Sequence, residues 1–242
     1  MLLATRESMR TRTREEPQNP FLYDVLPDGS WKGSSCMVIG GGPSLEHFNW
    51  SLLRGWRTIG VNRVYEKHDP TIIFSMDKRF FNWAVTEAKY GKEAKKKFME
   101  SKAIKVWRWT PGRVFPSYIH IVEDFKNYSR AYYAISPSLK LGIGHGNNSG
   151  YAATNIAVCL GANPIYLLGF DLKVTDGKKH WHDGHPKSQP DKVLDNFRVS
   201  FERAKPKLSK MGVKVINVVV NNPSQTALKV YPIKTVKEVF GK

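Results

Sequence analysis

Residues 36–50 read CMVIGGGPSLEHFNW. The apolar run Cys36 to Ile39 stops at Gly40-Gly41-Gly42-Pro43-Ser44, and a helical pattern follows near 44–54. A strand, then glycines, then a helix start brings backbone N–H groups to a ligand with no Cβ in the way, from the positive end of the helix dipole. The same letters also describe a plain turn between two packed elements. No Walker lysine follows the glycines, and the spacing is not GxGxxG. The segment therefore fixes the kind of fold, a strand-to-helix unit of an α/β protein, before it chooses any ligand.

The rest of the chain repeats that alternation of β-branched runs and helical patterns, as parallel α/β folds do. Strands are expected near Met37–Ile39, Thr58–Val61, Thr71–Ser75, Ile104–Trp107, Tyr118–Val122, Pro164–Leu168 and Val213–Val219. Helices are expected near 44–54, 78–100, 150–160 and 191–210, the last kinked or ended by Pro206. These predict a mostly parallel sheet with helices on both faces. Residues 1–30 read as an exposed N-terminal arm, 31–242 as one domain, and 124–148, rich in Tyr, Ser and Gly, as a mobile lid.

A chain of 242 residues can bury a sizeable core. No apolar run approaches the roughly 18 residues of a membrane span, and the first residues lack the apolar segment of a signal peptide. Cys36 and Cys159 lie in apolar segments without metal-ligand spacing, so a reducing cytoplasm is expected and a disulfide scaffold is not. The formal charge of +17 favours an anionic partner, since self-repulsion of that size is offset by binding one. From Lys78 to Lys105 there are nine Lys/Arg against three Glu, including Lys95-Lys96-Lys97, with Trp107 and Trp109 just beyond. Cations interleaved with flat rings suit single-stranded or flipped-out nucleotides. A lysine-rich solvated helix with its aromatics facing inward fits the same letters.

Two further segments carry chemistry. In GIGHGNNSGYAATNIAVCLGANPIYLLGFDL, residues 142–172, Asn147, Asn148 and Ser149 are N-cap types, and Ala152, Ala153 and Ala157 let the helix pack closely on a sheet. Two loop-to-helix junctions, both after glycine, would grip one nucleotide from two sides. In DLKVTDGKKHWHDGHPKSQPDK, His180, His182 and His185 accompany Asp171, Asp176 and Asp183. Their spacing is not a recognised zinc pattern, so no resident metal is expected. A neutral imidazole suits deprotonation of an acceptor hydroxyl near neutral pH.

The motifs GGGPSL, GVNRVY, NNSGYAATNIAVCLGANPIYLLGFDL and HDGH, with the closing NNPSQTALKVYP, resemble two related groups over roughly residues 36 to 235. One is the bacterial lipooligosaccharide sialyltransferases, glycosyltransferase family 42. The other is the 6-hydroxymethylpterin diphosphokinase-like family (domain of unknown function 115), also met in phage genomes. The resemblance implies a Rossmann-like nucleotide-binding domain and transfer chemistry on an activated nucleoside phosphate. It places the donor at Gly40 to Ser44, Asn62, Asn148, Ser149 and Gly150, and the acceptor-activating base at His185.

Three departures matter. Gly41 replaces an asparagine of the sialyltransferase pattern, and Asp77 stands where an asparagine is usual. Lys173, Lys178 and Lys179 occupy the neighbourhood of tyrosines that contact the leaving phosphate. A lysine such as Lys173 would stabilise that phosphate more strongly than a phenol.

The sequence thus points to a glycosyltransferase using a nucleotide-activated sugar, with catalytic His185 and Asp171. Its acceptor is expected to be nucleic acid, for instance a hydroxymethylpyrimidine in phage-type DNA, or another polyanion, bound by Lys95, Lys96, Lys97, Trp107 and Trp109. No cofactor is required, although Asp77 and Asp171 would hold Mg²⁺ on a diphosphate donor. The rivals are a diphosphokinase transferring pyrophosphate from ATP to a pterin-like alcohol, and a non-catalytic nucleic-acid-binding module. Gly42→Val and Ser149→Ala are both expected to weaken donor binding without unfolding the chain.

Overall fold

The computed structural model describes residues 16–125, 133–182 and 190–241. Its strands are β1 (Cys36–Ile39), β2 (Arg57–Val61), β3 (Ile72–Ser75), β4 (Ile104–Arg108), β5 (His120–Val122), β6 (Ile165–Leu168), β7 (Val215–Val219) and β8 (Ile233–Thr235). They form one 8-stranded sheet in the order β5-β4-β3-β2-β1-β6-β7-β8. Every pairing is parallel. All residues of β1 and β3 are buried, as expected of parallel strands covered on both faces.

Alternation along each strand feeds two cores. Cys36 and Val38 point to one side, with Ile59, Ile72 and Phe74; Met37 and Ile39 point to the other, with Leu45, Phe48 and Leu53. The helices are α1 (Leu22–Val25), α2 (Lys78–Val85), α3 (Gly91–Glu100), α4 (Ser149–Cys159), α5 (Lys192–Lys210) and α6 (Val236–Phe240). In α4 every residue from Gly150 to Cys159 is buried, and a helix apolar around its whole circumference belongs inside. It lies against β1, β2, β3 and β6 and is covered by α5. Phe201 of α5 meets the rings of Tyr151 and Phe170 at 5.4 and 5.6 Å. Phe81 of α2, Phe98 of α3 and Trp107 of β4 join Ile73 and Ile121 in a third cluster.

Several expectations are corrected. The helix expected over 44–54 is two 3₁₀ turns, Pro43–His47 and Trp50–Leu53, the second started by Asn49, whose side chain accepts the Ser51 N–H. The pattern over 78–100 divides into two helices: α2 ends at Val85, where Thr86 turns extended with φ −118° and ψ 165°, and α3 begins at Gly91. Helix α5 runs through Pro206 to Lys210 without ending there. The sequence reading missed α1, β8 and α6, all five residues or fewer.

Of the expected arm, residues 1–15 lie outside the described residues, but 16–30 belong to the domain. The Asn19 amide donates to the carbonyls of Phe115, Pro116 and Ile119 at 3.1, 2.9 and 3.2 Å, and Leu22 is fully buried. Of the expected lid, 126–132 lie outside the described residues, and the part from 133 to 148 is anchored. Asn155 of α4 accepts the N–H groups of Ser136 and Gly144 at 2.9 and 2.8 Å and donates to the Ser136 carbonyl at 2.8 Å. One buried carboxamide thus satisfies backbone groups that an irregular loop leaves unpaired.

Candidate functional site

The strand order reverses between β1 and β6, and in open α/β sheets ligands bind at such a switch point, outside the carboxyl ends of the strands. Ile39 is in register with Leu168, so the two strands end level and their turns leave the sheet side by side. Gly42 N–H donates to the Gly169 carbonyl at 2.8 Å. A Cβ on Gly40 would come within 2.7 Å of that carbonyl oxygen, and one on Gly42 within 2.5 Å of the Asp171 carboxyl. A Cβ on Gly150 would stand 2.6 Å from the Phe170 ring. The glycines therefore let two turns and a helix close on one another. A side chain at Gly42 disturbs packing first, which corrects the expectation that it would spare the fold.

Gly41 is different. Its missing Cβ faces the His180 imidazole, 3.1 Å from Nδ1, and its carbonyl accepts the Trp181 N–H at 3.0 Å. The loop carrying His180 and His182 thus lies over the glycine turn. Lys178 ties this loop to Glu46 at 3.0 Å.

Around these turns is a cavity of about 680 Å³, lined on its floor by Gly40, Gly41, Gly42, Gly169 and Phe170. Asn147, Asn148, Ser149 and Gly150 bring the first turn of α4 to it, and Asn62 and Asp77 stand at the ends of β2 and β3. Asn62 and Asn147 have positive φ, 57° and 52°, which asparagine tolerates better than most residues. The Ser75 hydroxyl fixes Asn62, donating to its side-chain oxygen at 2.8 Å. Asn148 caps α4, its oxygen accepting the N–H groups of Gly150 and Tyr151 at 2.7 and 3.3 Å.

Five cations line the same space: Lys78, Arg79, Arg108, Arg113 and Lys179. Arg79 holds both oxygens of Asp77; burial alone would raise that carboxyl, but these hydrogen bonds outweigh it and keep it below its ordinary range. Arg108 is bidentate on Asp124, and Lys179 pairs with Asp191 at 2.9 Å. Behind them His145 is buried and accepts the Asn147 N–H on Nδ1 at 3.0 Å. Burial and the Arg108 charge hold its imidazole well below the usual range, so it is a neutral support for the α4 entry loop.

The structure therefore brings together Gly40, Gly41, Gly42, Asn62, Asp77, Asn148, Ser149 and Gly150. Pro43, Ser44 and Asp171 line a separate, smaller cavity of about 210 Å³. There the Asp171 carboxylate accepts the Ser44 N–H and hydroxyl, each at 2.7 Å, and clasps the two turns together. Burial pushes its carboxyl up against the opposing pull of those bonds. Asp77 and Asp171 are thus not assembled into one Mg²⁺ site, and among the described residues no group of three or more His, Cys, Asp or Glu is placed to hold a metal.

Lys173 donates to the Ser224 carbonyl at 2.8 Å and does not line the large cavity. Trp107 and Trp109 are core residues, 1% and 7% exposed, and offer no face for stacking a base. Lys95, Lys96 and Lys97 lie on α3, whose apolar side buries Ala94 and Phe98, so the inward-aromatic reading describes this helix. Lys95 pairs with Glu87, and Lys97 donates to the Glu66 carbonyl. His185 lies outside the described residues. The sequence reading passed over Arg108 and Arg113 because they sit within WRWTPGR, where the tryptophans drew attention; an arginine at the end of a β-strand was the signal available.

No protein-family model and no curated protein matches the chain. A solved structure that does resemble it is that of the MAf glycosyltransferase from Magnetospirillum magneticum AMB-1. The two are 12% identical with a TM-score of 0.52, and the match covers 88% of this chain and 35% of that one. This chain therefore spans about a third of that protein's length, and what the two share is the Rossmann-like α/β fold.

Proposed function

We propose that the chain transfers a sugar from a nucleotide-activated donor whose phosphate lies where the turn after β1, the turn after β6 and the first turn of α4 meet. One observation carries this reading: Gly40 to Gly42, Gly169 and Asn147 to Gly150 line a single cavity of about 680 Å³ at the switch point. That volume suits a nucleotide-sized ligand. The likeness in fold to a glycosyltransferase supports the same class of chemistry.

In this reaction an acceptor hydroxyl oxygen attacks the anomeric carbon while the bond from that carbon to the phosphate oxygen breaks. The hydroxyl proton passes to an imidazole, and the nucleotide leaves with the bonding electron pair. The family resemblance gives the base to His185, and its neighbours His180 and His182 line the cavity. Charge on the departing phosphate is met by Lys179 and by the N-terminal end of α4. No cofactor is required by this scheme. The diphosphokinase alternative is less favoured, because Asp77 and Asp171 line different cavities.

For the acceptor, charge supports nucleic acid: the chain carries +17, and Lys96 and Lys97 are exposed on α3. The tryptophans no longer contribute to that argument.

The test is a screen of nucleotide sugars, free nucleotides and ATP by thermal unfolding. A donor at 100 times its dissociation constant adds about 2.7 kcal/mol, or roughly 5–11 °C for a chain of this size. Ser149→Ala should reduce the shift while leaving the melting temperature of the free protein unchanged. If no nucleotide sugar shifts the transition and none is hydrolysed, the reading is wrong.

A further inference from the structure

The large cavity has a second end. Its glycine turns follow β1 and β6, whereas Arg108 is the last residue of β4, Arg113 follows in the next turn, and Lys78 opens α2 after β3. From β4 to β1 is three strand spacings, about 14 Å at roughly 4.8 Å each. A phosphate at the switch point does not reach that far.

Of the arginines there, Arg113 is the one whose surroundings weigh against its charge. The Arg113 guanidinium is half-buried, and its Nη1 donates to the carbonyls of Met76 and Arg108 at 2.8 and 3.4 Å. Among the described residues its hydrogen-bond partners are carbonyls, not carboxylates. Arg108 spends its fork on Asp124, and Arg79 spends its own on Asp77. Three guanidinium groups thus line this end of the cavity, and among the described residues Arg113 is the one with no carboxylate hydrogen-bonded to it. Burial and then repulsion by Arg108 weigh most against the Arg113 charge, ahead of the attraction of Asp77 and Asp124. A guanidinium so placed can donate to a pair of oxygens of a phosphate or a carboxylate.

We propose that Arg113, with Arg108 and Lys78, forms an anion subsite at the carboxyl ends of β3 and β4, taking a phosphate or carboxylate that the substrate carries away from its switch-point phosphate. The proposal rests on the reading of this cavity as a substrate site, but its test does not need the donor. Inorganic phosphate is titrated into the full chain at constant ionic strength. The side-chain Nε–Hε signals of Arg113 and Arg108 and the backbone amide of Gly150 are followed by NMR.

The Arg113 signal should move saturably, on a curve separate from that of Gly150. Arg113→Gln should weaken the Arg108 response about tenfold while the Gly150 curve stays in place. Lys78→Gln, which keeps the side-chain stem, should weaken the Arg113 response and checks the result should Arg113→Gln disturb the Met76 turn. An Arg113 signal unmoved at phosphate levels that saturate Gly150, or responding no differently in Lys78→Gln, would overturn the subsite.

The source of the anion is read from substrates. If it belongs to the donor, Arg113→Gln weakens binding of the intact nucleotide sugar and spares the free nucleotide. If it belongs to the acceptor, donor affinity is unchanged and the acceptor KM rises. Phosphate binding at Arg113 with no nucleotide sugar bound anywhere would keep the subsite and refute sugar transfer.

Discussion

Gly42→Ala and Gly41→Ala differ by one position and should have opposite consequences. Gly42 has φ −60° and ψ 145°, ordinary extended backbone, so alanine adds no dihedral strain there. Its methyl would sit 2.5 Å from the Asp171 carboxyl carbon and oxygen and 2.7 Å from the Gly169 carbonyl oxygen. Neither can give way freely. Asp171 is held by two bonds from Ser44, and Gly169 is fixed at the end of β6 with φ 73°. Overpacking of this kind costs about 1–3 kcal/mol, and displacing the Asp171 clasp adds about 1.5–3 kcal/mol for a charged hydrogen bond. Against this, replacing glycine reduces the freedom of the unfolded chain by about 0.4–1 kcal/mol. The net loss is about 2–5 kcal/mol, or a melting temperature lower by roughly 4–20 °C.

At Gly41 the new methyl meets only the His180 ring, at 3.1 Å, a contact relieved by a shift of a few tenths of an ångström in one side chain rather than in the backbone. Gly41→Ala should cost less than about 1 kcal/mol yet lower turnover, because the ring it displaces lines the cavity. Urea unfolding followed by tryptophan fluorescence, alongside donor hydrolysis, measures both quantities. A Gly42→Ala protein as stable as the parent, or a Gly41→Ala protein as destabilised as Gly42→Ala, would refute the assignment of packing to one glycine and site access to the other.

Asp171 gives a pH dependence whose sign follows from its burial. Its carboxyl is raised above the ordinary 3.8, so between that value and the folded value the native state binds more proton than the unfolded. Stability of the parent relative to Asp171→Asn should therefore fall as pH rises through that window, as urea unfolding at several pH values would show. Trp107→Ala should cost about 3–5 kcal/mol as a core truncation, and an unfolding midpoint close to the parent's would remove it from the core. Changing Lys95, Lys96 and Lys97 together to Gln should spare the fold. If α3 tracks a phosphate backbone, it should also flatten the salt dependence of DNA affinity by up to about three units of log–log slope; identical slopes would remove α3 from the acceptor surface.

The fold was legible because its signals are local and repeated. Strands β1 and β6 are unbroken apolar runs, and the run into glycine at 36–42 and again at 165–169 marks the two strands that flank the switch point. Strands β1 to β7 are found within two residues of where alternation placed them. β8 escaped because Ile233-Lys234-Thr235 is not a buried apolar run, α1 and α6 because a helix of about one turn shows no period, and α3 separated from α2 because Thr86 turns extended, which its letter alone does not announce. Within the site, Asn148 and Ser149 were legible as helix-cap types, and Asn62 through the family resemblance alone. Asp171 was misread: an acidic residue after a buried strand has the letters of a catalytic group, and only its two bonds to Ser44 show it acting as a clasp. Arg113 was invisible for the opposite reason. Its position across the cavity from the glycines depends on strand order, which no local pattern contains.

The contrast between Asp171 and Arg113 separates the floor of this site from its walls. The floor is backbone and glycine: the turns after β1 and β6 touch at distances that leave no room for a Cβ, and the Asp171–Ser44 clasp is directed into a different cavity. Changes there are felt as stability, whatever ligand binds. The walls are side chains delivered by α4, by the β3 and β4 ends and by the histidine loop. Changes there can alter affinity or rate while the sheet stays intact. On the function proposed above, a fold built this way keeps one place for a phosphate and leaves the identity of the rest of the ligand to the walls. For that reason a likeness in fold at 12% identity establishes the architecture and leaves the ligand to be established from the site itself. The cations of the far wall, which no glycine pattern predicts, are where the substrate of this chain is to be sought.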